Sequence, residues 1–304
     1  MASIKDIKKR IASVKTTQQT TRAMKMVSAA KLRRAQEAII NQRPYAKQVS
    51  TLFRMVTARP DLRLSSPLIY REATRDAHGK TEKSKLLLIL VTSDRGLSGA
   101  FNSNVIKAAI NWTRENEASY SQIEYAFVGR KAYDYFKNKK IKIASYLEET
   151  GGRVTYAKAK KFGKFMIDMY LSEKVDEVKI IYNEFKNVVS QKVVVENYLP
   201  FWGPGIGVEE EAELVRRTEG YVIKPNVQGL LEDLLGRHFS VQAFRILLES
   251  QAGEHGARMS AMESATKNAE EMIRKLTLQY NKQRQAGITK ELLEIIAGSE
   301  SQNA

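Results

Sequence analysis

The stretch whose residue types come nearest to phosphate chemistry runs Val91-Thr92-Ser93-Asp94-Arg95-Gly96-Leu97-Ser98-Gly99-Ala100-Phe101-Asn102. A phosphate-gripping loop needs consecutive backbone amides with a Lys and a hydroxyl at fixed offsets, and a dinucleotide loop needs three glycines at GxGxxG spacing. Neither spacing is present, so Gly96 and Gly99 read as allowing a tight turn into a helix. The three histidines, His78, His238 and His255, are far apart with no neighbouring ligand pattern. Metal binding and triad chemistry are not expected of them. Glu270 and Glu271 stand among Arg274 and Lys275, the spacing of solvated i to i+4 charge pairs on a helix. Met24, Met26 and Met259 read as packing residues, the commoner use of methionine. No constellation supports catalysis, so the chain is expected not to be an enzyme itself and to carry no cofactor and no metal.

If no side chain does chemistry, the elements themselves must carry the function. From Asn226 to the C-terminus there is no proline. Within that stretch Met262, Ala265, Ala269, Met272, Leu276, Gln279, Gln283 and Ala286 recur at alternating steps of three and four, the spacing of a coiled-coil seam. A helix over residues 226–304 is predicted. Alanines alternate with Met and Leu along this seam, so the backbones can approach closely. Gly253, Gly256 and Gly287 fit poorly, each costing about 1 kcal/mol in a helix interior.

A second long helix is predicted over residues 1–58. Ser3 with Asp6 resembles a capping box, and Ile4, Ile7, Ile11 and Val14 give an apolar face. That face breaks over Thr16 to Arg22 and resumes at Ala23, Val27 and Ala30 in a shifted phase. Pro44 is expected to kink this helix, and Pro60 to end it before residue 59. Two long helices at opposite ends of one chain most simply pack antiparallel.

Between them, residues 59–84 read as a linker and 201–225 as an irregular return. Residues 85–200 alternate strands and helices, beginning with the apolar run Leu86 to Val91, which suits a strand covered on both faces. The fold class expected is α/β: a long antiparallel coiled coil of the N- and C-terminal helices with an inserted Rossmann-like α/β domain.

The 304 residues carry a formal net charge of +16 and no cysteine, which rules out disulfides and thiolate metal sites. Residues 1–48 hold twelve Lys and Arg against Asp6 and Glu37, a net of +10. A basic segment of this kind signals nucleic acid, an anionic membrane surface or an acidic protein partner. No apolar run approaches the ~20 residues that span a bilayer, and the charged start argues against a secretory signal. A cytosolic or peripheral protein is expected.

Several passages resemble the gamma subunit of rotary, F-type ATP synthases. They are Ile4-Lys5-Asp6-Ile7 through Thr21-Arg22-Ala23-Met24-Lys25-Met26-Val27 to Lys31-Leu32-Arg33-Arg34, the Ser93 to Asn102 turn, Glu254 to Ala269, Tyr280-Asn281-Lys282 to Arg284-Gln285-Ala286, and Ile288-Thr289-Lys290-Glu291-Leu292 to Ile296. Together they span nearly the whole chain in order.

The resemblance implies a non-catalytic rotor shaft inside a ring of alpha and beta subunits. The α/β body would then meet the epsilon subunit and a membrane ring of c subunits, at the cytoplasmic face of a bacterial plasma membrane. By position in the motifs it implies Met24, Arg284, Gln285, Thr289 and Glu291, with Arg33 and Arg34 besides, as residues facing the alpha/beta ring. Ser98 stands where the family commonly has Cys, which excludes thiol regulation, and Gly298-Ser299 stands where the family has Gly-Ala. The alternative is a basic coiled-coil nucleic-acid-binding protein. Residues 1–44 contain no Phe, Tyr or Trp to interleave with the basic stripe, as single-strand binding uses.

Overall fold

The computed structural model describes residues 4–57, 67–68, 84–147, 154–187, 190–201 and 227–303. Ser3 of the expected capping box, nearly all of the 59–84 linker, and nearly all of the 201–225 return lie outside them. Helix α1 spans Ile4–Thr57 and continues through Pro44. There follow β1 (Lys85–Val91), α2 (Phe101–Asn116), β2 (Gln122–Val128), α3 (Arg130–Phe136), β3 (Lys142–Leu147), α4 (Tyr156–Leu171), β4 (Glu177–Phe185), β5 (Gln191–Leu199) and α5 (Val227–Asn303). At 1.5 Å per residue α1 is ~80 Å and α5 ~115 Å long.

The chain divides into two units, one of residues 1–29 with 258–304, the other of residues 30–257. The second holds the sheet, in the order β3-β2-β1-β4-β5. β1 pairs in parallel with β2 and β4, β2 in parallel with β3, and β5 lies antiparallel on β4 as an edge. The apolar run of β1 explains its central place. Its side chains alternate between faces, sending Leu87, Ile89 and Val91 into a core with α4 and α5, and Leu86, Leu88 and Leu90 into a core with α2 and α3.

Gly253 and Gly163 are explained by close approach. A Cβ on Gly253 would stand 3.2 Å from the Phe101 ring and 3.4 Å from Gln191, while one on Gly163 would meet the Tyr198 hydroxyl at 3.4 Å and the α5 backbone at Ser240 at 3.5 Å. Glycine lets α5 lie against the sheet and against α4. The helix-propensity cost is offset by contacts that a larger residue would crowd.

His238 lies in this core, stacked on Phe53 at 4.6 Å and edge-on to Phe201 at 5.0 Å. Burial, with the Arg245 charge adding to it, pulls its imidazole from 6.5 down to about 4. An unfolded chain therefore binds a proton near pH 6.5 that the folded chain refuses until near pH 4. The folded state loses stability as pH falls through that window and is unaffected above it. His238→Phe keeps the stack and removes the proton. The thermal midpoint should then drop less between about pH 7.5 and about pH 5 in the variant than in the parent; equal drops would contradict the buried neutral imidazole.

Candidate partner-binding surface

The first unit is a two-helix antiparallel pair. Lys25 meets Glu263 at 3.1 Å, the Thr21 and Thr266 hydroxyls bond at 2.8 Å, and a Cβ on Gly287 would sit 3.7 Å from the Ile4 side chain. Along α1 the inward positions of this unit are Ile7, Ile11, Val14, Gln18, Thr21, Lys25 and Ser28, an unbroken alternation of four and three. The expected break at Thr16 to Arg22 is therefore corrected: the seam passes straight through it on Gln18 and Thr21, the latter bonding Thr266 across the pair. Thr16, Thr17 and Thr20 return their hydroxyls to carbonyls one turn back, which satisfies those hydroxyls within the helix.

Ala23, Val27 and Ala30, expected to be the resumed seam, are instead exposed. With Met26 they form an apolar strip on the outside of α1, Met26 and Val27 being 59% and 56% exposed.

The α5 seam differs from expectation at alternate positions. Met262, Ala269, Leu276 and Gln283 face inward as expected, but their partners in the repeat are Thr266, Ile273, Tyr280 and Gly287. Met272, Gln279 and Ala286 point outward. Both registers satisfy the three-four alternation. The observed one turns the larger apolar groups, Ile273 and Tyr280, toward α1 and lets Gly287 admit Ile4 at close range. That answers why a glycine is tolerated there.

Past Gly287, α5 runs on beyond the level of Ile4, where α1 begins among the described residues. Arg284 and Gln285, just before Gly287, and Thr289 and Glu291, just past it, are all exposed. They interleave with apolar residues that are exposed as well: Arg284, Ile288, Glu291 and Ile295 recur at steps of four, three and four, and so do Gln285, Thr289, Leu292 and Ile296. Ile295 is 68% and Leu293 61% exposed. The Thr289 hydroxyl donates to the Gln285 carbonyl at 3.0 Å.

Met24 is half-buried beside the seam position Lys25. Since Lys25 is level with Glu263, Met24 sits roughly twenty residues, or ~30 Å, from Arg284 along the pair. The structure thus brings four of the candidate residues together at one end and leaves Met24 apart. Arg33 and Arg34 are exposed on α1 within the other unit. Arg33 donates to Glu37 at 3.1 Å.

The Ser93 to Asn102 turn is occupied by its own bonds. The Ser93 N–H donates to Asn102 Oδ1 at 2.9 Å, Asn102 Nδ2 donates to Ser93 Oγ at 2.9 Å, and the Ser93 hydroxyl donates to the Arg95 carbonyl at 2.7 Å. Asp94 Oδ1 accepts the Arg130 N–H at the start of α3 at 3.0 Å. Left-handed backbone falls on Leu97 and on Gly99, one of the two glycines expected to allow the turn, at φ 63° and 57°. His238 and His255 are buried, and no group of three or more His, Cys, Asp or Glu able to hold a metal occurs among the described residues. Glu270 and Glu271 are exposed, and the ion pair on this stretch is Lys267 with Glu263 at 3.9 Å. No helix of the described residues is long and apolar enough to cross a membrane.

Comparisons with known proteins add a family to these observations. The family model described as ATP synthase matches residues 3–301. A protein of Geotalea uraniireducens named ATP synthase gamma chain is 46% identical over 99% of both chains, one of Geotalea daltonii 48% over the same share, and one of Bdellovibrio bacteriovorus 43%. Among solved structures, a chain of the Euglena gracilis mitochondrial ATP synthase superposes with a TM-score of 0.65 at 22% identity, covering 98% of this chain and 94% of that one. A chain of the Tetrahymena thermophila mitochondrial ATP synthase central stalk gives 0.58 at 24%, covering 81% and 99%. On residues, fold and relatives together, the chain belongs to the ATP synthase gamma-chain family.

Proposed function

We propose that this gamma chain works as the central-stalk rotor of an F-type ATP synthase, turning inside a ring of alternating alpha and beta subunits. It is not itself catalytic. It couples ion flow through a membrane ring of c subunits to ATP synthesis or hydrolysis in the ring around it. The α/β body meets the epsilon subunit and the c ring, at the cytoplasmic face of a bacterial plasma membrane.

One observation carries this reading: the end of α5, with Ile288, Leu292, Leu293, Ile295 and Ile296 exposed beyond the level of Ile4, where α1 begins among the described residues. Apolar side chains spread over a solvated helix end are what a surrounding sleeve would cover. The outer strip of Ala23, Met26, Val27 and Ala30 supports the same enclosure further along. The ring-contact set is Met24, Arg284, Gln285, Thr289 and Glu291 on this unit, with Arg33 and Arg34 on the other.

A rod with different residues on each side cannot touch three identical subunits alike, so it biases them toward different nucleotide affinities. Reciprocity then requires nucleotide turnover to bias the angle of the rod. Basic residues on the rod meet acidic loops of the ring through contacts that form and release without deep desolvation.

The test is reconstitution. Alpha and beta subunits mixed with this chain should gain steady ATPase turnover, and a chain lacking residues 280–304 should support less of it. Equal turnover with and without the chain would end the rotor reading.

A further inference from the structure

The second unit contains a cavity of about 500 Å³, at whose mouth stands Arg34 of the ring-contact set. It lies between two helices. On α1, Lys31, Arg34, Ala35, Ala38 and Asn41 share the face that borders it, and on α5 Leu248, Gln251 and His255 follow one another at helical spacing. Val154, just before α4, closes one side. The space exists because α1 presents alanines at 35 and 38, where longer side chains would reach across to Leu248.

The lining is divided by chemistry. Ala35, Val154 and Leu248 are buried and make an apolar floor. Lys31, Arg34 and Asn41 stand at the mouth, exposed, with Gln251 and the buried His255 beside them. Glu37 also borders the cavity, but its carboxylate accepts from Arg33 at 3.1 Å. Its charge is thereby balanced from outside the lining. Lys31 and Arg34 have no carboxylate partner among the described residues, which leaves two uncompensated cations over an apolar floor. The volume falls within the 300–1,000 Å³ usual for a small-molecule site, and the lining is more polar than such sites commonly are, with the apolar groups confined to the floor.

We propose that this cavity binds a small organic phosphate. The phosphate sits on Lys31 and Arg34, the guanidinium offering a paired donor fork to two oxygens. The organic part lies on Ala35, Ala38, Val154 and Leu248, within reach of the Gln251 and Asn41 amides.

The full chain is titrated with AMP, with adenosine and with inorganic phosphate, and binding is followed by calorimetry. AMP should saturate, with adenosine and inorganic phosphate each binding at least about tenfold more weakly, because each lacks one half of the contact. Lys31→Gln with Arg34→Gln should weaken AMP by about tenfold or more, since both charged contacts are lost. Arg43→Gln with Lys47→Gln removes the same charge from α1 outside the cavity and should leave AMP binding unchanged. Ala38→Leu should block AMP by filling the floor. Circular dichroism of each variant confirms that the helices remain.

Absence of saturable AMP binding would overturn the proposal. So would equal weakening by the two charge pairs, which would reduce the effect to the general field of a basic helix. Adenosine or phosphate binding as tightly as AMP would overturn it too. The titration uses the chain alone, so its result is independent of ring assembly.

Discussion

Gly129→Ala is expected to abolish the folded α/β body. Gly129 closes β2 against the start of α3 with φ +87°, a backbone state that side-chain-bearing residues rarely adopt. A Cβ there would lie 2.0 Å from the Thr92 carbonyl oxygen and 2.6 Å from its carbon, and neither can retreat. Thr92 is held on both sides: its N–H donates to the Val128 carbonyl at 2.8 Å, and its hydroxyl accepts the Ala132 N–H at 3.1 Å. Moving Thr92 breaks the β1–β2 junction at the strand ends, where the turn that carries Asp94 and Ser93 begins. Backbone strain and lost pairing together should cost about 4 kcal/mol or more. Near-ultraviolet circular dichroism should lose its tertiary signal while the long helices keep much of the far-ultraviolet one. A variant melting within a degree or two of the parent would show that the strand ends yield more easily than this geometry allows.

Arg245→Met is expected to loosen α5 from the sheet edge. The Arg245 guanidinium bonds Glu196 of β5, the Tyr182 hydroxyl of β4 at 3.0 Å, and Glu249 one turn along its own helix at 3.4 Å. Tyr182 in turn donates to Glu196 at 2.7 Å. Burial lifts the Glu249 carboxyl above its usual range while Arg245 opposes the rise, and Glu249 Oε2 has no hydrogen-bond partner among the described residues. Taking away the arginine leaves two carboxylates and a phenol with no cation between them. Removing one member of such a group costs about 3 kcal/mol. Most of that is the penalty of the orphaned acids, so Glu196→Gln and Glu249→Gln added to Arg245→Met should recover at least half of the lost stability in chemical denaturation. No recovery would mean that the arginine acts through packing of its stem instead.

The secondary structure was largely legible in the sequence because its signals are local. The apolar run of β1 depends on neighbours in the chain, and its bounds came out within a residue of expectation. The seams were harder. On α1 the inward positions Gln18, Thr21, Lys25 and Ser28 are polar, so a count of apolar residues sees a gap where packing is continuous. On α5 two registers satisfy one alternation, and only the opposite helix decides between them.

Gly253 makes the same point at a single residue. Its neighbours Phe101, Asn183 and Gln191 come from three separate elements, so nothing within a few residues of it announces the contact. The candidate contact residues divide likewise. Arg284, Gln285, Thr289 and Glu291 are ordinary helix-surface types, and the resemblance singled them out. The structure adds that they alternate with exposed isoleucines and leucines around and beyond the level of Ile4. The cavity was not legible at all, since it needs α1, α5 and Val154 in place together.

The central claim is that this chain turns within a ring. The chain has no cysteine, so Lys160→Cys on the exposed side of α4 gives a single attachment point for a bead on the body. With the reconstituted alpha/beta ring fixed to a surface, ATP should drive the bead continuously in one direction, and withholding ATP should stop it. A bead that stays still or only jitters while ATP is being consumed would contradict the account.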